Sequence, residues 1–169
     1  YEERLALTQC TVFAGGFSAE AAEAVIDVHQ SPRSTLELLQ SLVDSSLLRS
    51  VSLPGLPGRR RFVLFQSIYS FAAERLGELT SLGELTERHA EYFVNEGRRL
   101  AQQRATSLGH EAAKLLELEI ENLLLIVEES GFQNSERALQ VVLALHPLIL
   151  ELGPPETYDR LLNVGLELA

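Results

Sequence analysis

Cysteine, lysine, tryptophan and methionine are almost missing from these 169 residues: one, one, none and none. With Cys10 alone, no internal disulfide can form, which favours a reducing, cytosolic setting. Leu7, Val12 and Phe13 surround that cysteine with apolar neighbours, so a buried, inert thiol is expected. A phosphate-cradling loop ending in Gly-Lys-Ser/Thr is excluded, because Lys114 sits in Ala112-Ala113-Lys114-Leu115. No nucleotide, metal or other cofactor site is therefore expected within these residues. Long apolar runs are also missing. The longest, Ala138–Leu150, carries Gln140, His146 and Pro147 and is too short to span a bilayer, so no membrane partner is expected. No signal peptide is recognisable. Arginine outnumbers lysine thirteen to one, a hint of a GC-rich genome.

What is present is acidic and unevenly so. Residues 1–79 hold seven basic and nine acidic side chains, a net of −2, whereas 80–169 hold seven and fifteen, a net of −8. An acidic second half repels phosphate backbones and argues against a nucleic-acid-coating role. The overall 46% hydrophobic content is that of an ordinary globular chain.

The first 79 residues change period in an informative order. Leu5, Leu7, Thr8, Val12 and Phe13 read as a first helix, closed by Gly15-Gly16. Ser18 is an N-cap for a second helix with Ala21, Ala22 and Val25 inward. Ser34-Thr35-Leu36-Glu37 is a capping box opening a third, whose Leu38, Leu39, Leu42 and Val43 face the core. Two β-rich runs, Leu47–Val51 and Arg61–Phe65, flank the loop Leu53-Pro54-Gly55-Leu56-Pro57-Gly58, and helical spacing resumes at Ile68, Phe71, Ala72, Arg75 and Leu76. Three helices, a β-hairpin wing and a fourth helix make a winged helix over 1–79, in a mainly α chain.

Residues 80–169 read as helices throughout. Ser81 with Glu84 is a second capping box before a helix over Glu84–Ala105, followed by Glu111–Glu129 and by a helix capped at Asn134 or Ser135 and kinked by Pro147. After Gly153-Pro154-Pro155 a fourth begins, over Glu156–Ala169. Antiparallel helix pairs of this size are the start of an α-solenoid, an incomplete tetratricopeptide-like region. The third of these helices is apolar nearly all round, which suits an inner helix with further repeats beyond Ala169.

No catalytic arrangement is visible. His110-Glu111-Ala112-Ala113-Lys114 begins like a zinc-protease helix but has Lys114 where the second histidine belongs. His29, His89, His110 and His146 lack paired ligand spacing, and Glu117, Glu119 and Glu121 scatter around a helix instead of converging. The chain is read as a non-enzyme. As a DNA reader it is also poorly equipped. The helix Ser34–Asp44 would enter the major groove, yet its outward positions Thr35, Glu37, Gln40, Ser41 and Asp44 include no arginine or lysine. The one basic cluster, Arg59-Arg60-Arg61, lies at the end of the wing, where a phosphate or minor-groove contact is the rival reading and a plain soluble loop, with Arg61 paired to an acidic neighbour, the commoner one. Candidate partner or DNA contacts are thus Arg59, Arg60, Arg61, Glu37, Gln40 and Asp44.

Several of these segments together resemble a bacterial family. Phe13-Ala14-Gly15-Gly16-Phe17-Ser18, Leu42-Val43-Asp44-Ser45-Ser46-Leu47-Leu48, Ala72-Ala73-Glu74-Arg75-Leu76 and Arg88-His89-Ala90-Glu91-Tyr92-Phe93 look like the winged-helix region of signal-transduction ATPases with numerous domains. Leu116-Glu117-Leu118-Glu119-Ile120-Glu121-Asn122-Leu123 is similar to the start of their tetratricopeptide-like array. Tyr69-Ser70 stands where that family commonly has Arg-Glu, and the Trp and Gly-Tyr signature of consensus repeats is missing. The resemblance implies a regulatory segment of an ATP-dependent transcriptional regulator. Its winged helix would dock on an upstream nucleotide-binding domain of the same polypeptide, and its repeats would sense a protein or small-molecule effector. The alternatives are a DNA-binding winged helix and a stand-alone helical-repeat adaptor.

Overall fold

The computed structural model describes residues 1–28, 31–75, 82–130 and 135–152. Ser81, Asn134, Gly153-Pro154-Pro155 and the segment 156–169 lie outside the described residues, as does His29. Among the described residues the chain is mainly α, with eight α-helices and one two-stranded antiparallel sheet. It forms two compact units, Tyr1–Tyr92 and Phe93–Ala169.

The first unit runs α1 (Glu2–Gln9), a 3-10 turn (Cys10–Val12), α2 (Ala19–Val25), α3 (Thr35–Asp44), β1 (Leu48–Ser52), β2 (Arg60–Leu64) and α4 (Gln66–Ala73). Local chemistry explains most boundaries. Ser18 Oγ accepts from the Ala21 amide at 3.1 Å, capping α2. At α3 the box closes both ways: Ser34 Oγ accepts from the Glu37 amide at 3.2 Å, and the Glu37 carboxylate accepts from the Ser34 amide at 2.7 Å. Substituting Ser34→Ala should cost about 1 kcal/mol in a denaturant melt, since it frees one helix-end amide to water. Each strand is offset by one residue from its expected start, with Leu48 opposite Leu64 and Ser52 opposite Arg60. Gly55 and Gly58 supply the positive φ of 74° and 77° that the connecting loop uses.

The core of this unit is closed by contacts distant in sequence. Phe13 and Phe17 stack at 4.2 Å between centroids, and Phe17 stacks on Phe62 at 5.7 Å. An isolated bridge locks the Gly15-Gly16 exit to the hairpin: the Phe17 amide donates to the Phe62 carbonyl at 3.0 Å and the Phe62 amide to the Phe17 carbonyl at 2.8 Å. Fully buried Gln9 clamps the backbone of Asp27. Its Nε2 donates to the Asp27 carbonyl and its Oε1 accepts from the Asp27 amide, each at 2.8 Å. Both backbone groups just past α2 are thereby satisfied away from water. Cys10 is fully buried, and burial pushes its thiol up, which keeps it protonated and unreactive.

The helix α5 (Leu82–Gln103) crosses the division between units, whereas the composition boundary read from sequence lies at 79/80. The first half of α5 belongs with the first unit because Arg88 Nε donates to the Val25 carbonyl at the end of α2, at 2.8 Å, and buried His89 tilts against Phe13 at 5.7 Å. His89 is thus a packing histidine, whereas His110 and His146 are exposed.

The second unit contains the rest of α5, then α6 (Gly109–Leu118), α7 (Ile120–Ser130) and α8 (Ser135–Leu152). The single helix expected over 111–129 is broken at Glu119, whose φ of −97° and ψ of 2° leave the helical region. Asn122, fully buried, donates to the Glu119 carboxylate at 3.0 Å and holds that break. Gly97 lets α5 approach closely: a methyl group there would stand 3.1 Å from a Leu123 methyl of α7 and 3.7 Å from Ala144 of α8. The helix α8 runs through Pro147, and Val141, Leu145 and Leu148 are buried along it.

Candidate functional site

The six candidate contact residues separate into three groups. Glu37, Gln40 and Asp44 are exposed along α3. Gln40 Nε2 donates to Asp44 Oδ1 at 2.7 Å, while Glu37 is tied into the capping box. Hydrogen bonds from the Ser34 backbone first, and from its hydroxyl second, hold the Glu37 carboxyl below its usual range, so the α3 start stays anionic. The nearest cation along the chain, Arg33, is engaged with Glu3 at 3.0 Å and with the Glu37 carbonyl at 3.1 Å.

Arg59 and Arg60 are exposed where the hairpin loop re-enters β2, and Arg60 Nε donates to Ser50 Oγ at 2.8 Å. Arg61 is a different residue in kind. Only 5% exposed, it turns inward and donates through Nε to the Gly15 carbonyl at 3.2 Å and through Nη2 to the Gly16 carbonyl at 2.8 Å. The three-residue basic run therefore offers two surface cations, and its third member serves as a structural clamp. Alternation along the strand could have suggested this, since Arg61 falls opposite Val51, on the hairpin face that Val63 shares.

Sequence reasoning missed the most unusual surface of the first unit. In α4 only Ala72 is fully buried. Phe65, Tyr69 and Phe71 remain 38%, 38% and 51% exposed, and of these only Phe71 belongs to the helical spacing read from the sequence. Two guanidinium groups lie over these rings: Arg49 sits 5.6 Å from the Phe65 centroid and Arg75 3.8 Å from that of Phe71. The available signal was an excess of large apolar residues, too many around one short cylinder for a single buried stripe.

Among the described residues no group of three or more His, Cys, Asp or Glu side chains could hold a metal ion, and no helix is long and apolar enough to cross a membrane. The chain matches no protein-family model, no curated protein and no solved structure.

Proposed function

We propose that the chain is a non-catalytic regulatory and protein-interaction segment of a larger ATP-dependent transcriptional regulator or signalling protein. In this reading the first unit is a winged helix that docks on a nucleotide-binding domain. The second is the start of a helical-repeat sensor for a protein or small-molecule effector. The observation that carries the reading is the character of α3. The helix in the position of a DNA reader exposes Glu37, Gln40 and Asp44 and no arginine or lysine, and its neighbour Arg33 is bound to Glu3. Carboxylates there repel a phosphate backbone, whereas they are ordinary constituents of a protein-facing rim.

Titration of the chain with labelled duplex DNA at low salt tests this. The expected result is no binding in the micromolar range. Salt-sensitive micromolar binding, lost on Arg59→Gln with Arg60→Gln, would replace the reading with a DNA-binding winged helix. A reading frame that carries a Gly-rich phosphate loop ahead of Tyr1 supports the ATPase assignment, and a frame without one leaves a stand-alone adaptor.

A further inference from the structure

The segment 45–75, the hairpin with α4, is the more basic of two basic stretches in an acidic protein, the other being 97–110 with Arg98, Arg99 and Arg104. It holds five arginines against the single carboxylate Glu74, a net of +4 in a chain of net −10. The same segment carries the exposed rings of α4. On a helical wheel Phe65 and Tyr69 fall on one shoulder of α4 and Phe71 with Arg75 on the other, either side of buried Ala72. Between the shoulders, the outward ridge is low: Ser67 and Ser70 are exposed. Glu74 also faces outward, 3.8 Å from Arg75, which offsets its charge. Phe65 and Phe71 are six positions apart, about 9 Å along a helix axis.

We propose that α4, with Arg49 and Arg75, is a docking strip for an acidic protein segment that alternates carboxylates with aliphatic side chains. This rests on the reading of the first unit as a protein-docking module and moves the contact face from α3 to α4. Aliphatic side chains cover the two aromatic shoulders. Carboxylates meet two guanidinium groups that already lie over aromatic rings, Arg75 at 3.8 Å from the Phe71 centroid and Arg49 more loosely at 5.6 Å from that of Phe65, and a guanidinium can take a carboxylate through a forked pair of hydrogen bonds. Arg75 uses one N–H on the Phe71 carbonyl at 3.1 Å, so its orientation is set before the partner arrives. Nucleic acid is a poorer occupant. Stacked bases would have to displace both guanidiniums. A long phosphate chain would also run onto residues 1–44, whose seven carboxylates face only two arginines.

The test uses the 169-residue chain and three labelled amphipathic peptides with identical Leu positions, whose remaining positions are Glu, Gln or Lys. The Glu peptide is expected to bind at least about tenfold more tightly than the Gln peptide, and the Lys peptide least. Arg49→Gln with Arg75→Gln, and separately Phe71→Ser, should each weaken the Glu peptide about tenfold while leaving the circular-dichroism melt unchanged. Equal binding of the Glu and Gln peptides, or unchanged binding by both variants, overturns the proposal. So does tighter binding of a single-stranded oligonucleotide, or a dimer on gel filtration that Phe71→Ser abolishes. Co-purification with a nucleotide-binding domain encoded ahead of Tyr1 separates the two levels. Capture that the double arginine variant leaves intact removes α4 from the docking face but keeps the docking reading. No capture by the parent chain removes the docking reading, and the peptide titration still judges the strip.

Discussion

Replacing Gly16 by alanine should destabilise the first unit by about 3 kcal/mol or more, and Gly58→Ala should cost only about 1 kcal/mol. Both glycines have positive φ, 95° and 77° respectively, so both alanines bear backbone strain. The difference is what the new methyl meets. At Gly58 nothing lies within 4 Å. At Gly16 the methyl would stand 2.6 Å from the Phe62 carbonyl oxygen, 3.1 Å from a Val63 methyl and 3.2 Å from Arg61 Nε. The first neighbour is backbone and accepts the Phe17 amide at 3.0 Å. Relief therefore means opening the Phe17–Phe62 bridge, which also disturbs the stacked Phe13–Phe17–Phe62 rings. For a unit of this size 1 kcal/mol corresponds to roughly 4–8 °C in Tm, so the two variants should separate by about 10 °C or more. Differential scanning calorimetry on the pair measures it, and equal melts would mean that the hairpin does not pack on the Gly15-Gly16 turn.

Which parts of this were legible in advance follows from how far each interaction reaches along the chain. The Ser18 cap and the Ser34–Glu37 box join residues three apart, so their chemistry is written in four consecutive letters. The hairpin was readable from its Pro-Gly loop and β-rich flanks, with its ends off by one residue. Gly15-Gly16 was readable as a helix exit. That Gly16 also makes room for Phe62 was not, because the two lie 46 positions apart and nothing in either segment encodes the other. The Gln9 clamp on Asp27 and the Arg88 bond to Val25 are hidden for the same reason. The break at Glu119 was not legible because Leu116, Leu118, Ile120 and Leu123 keep supplying apolar positions through the turn, with no Gly or Pro to mark it. In the candidate site, the acidic surface of α3 was legible from period alone. The fate of Arg61 and the exposure of α4 were not, since both depend on which neighbours arrive to cover a face.

The second large effect concerns the basic run, which should behave as two surface residues and one buried one. Arg59→Gln and Arg60→Gln are each expected to change stability by no more than about 0.5 kcal/mol, as exposed substitutions do. Arg61→Met should cost about 2–3 kcal/mol, because hydrogen bonds from a charged donor are worth roughly 1.5–3 kcal/mol and the stronger of the two, to Gly16, is buried, although Gly15 is exposed. Methionine keeps the apolar stem and removes the charge, so the loss reports the bonds to the Gly15 and Gly16 carbonyls without leaving a buried ion behind. Arg61→Lys should also fall short. A single ammonium at the end of a flexible stem lacks the planar fork that reaches both carbonyls, at 3.2 and 2.8 Å, from two nitrogens at once. Because Arg61 and Gly16 share the same turn, Gly16→Ala with Arg61→Met should be less damaging than the sum of the two. Once the turn has been displaced by the methyl, the guanidinium has less to hold. Urea melts of the parent chain, the two single variants and the double variant form that cycle, and strict additivity would show that the guanidinium holds something other than the turn.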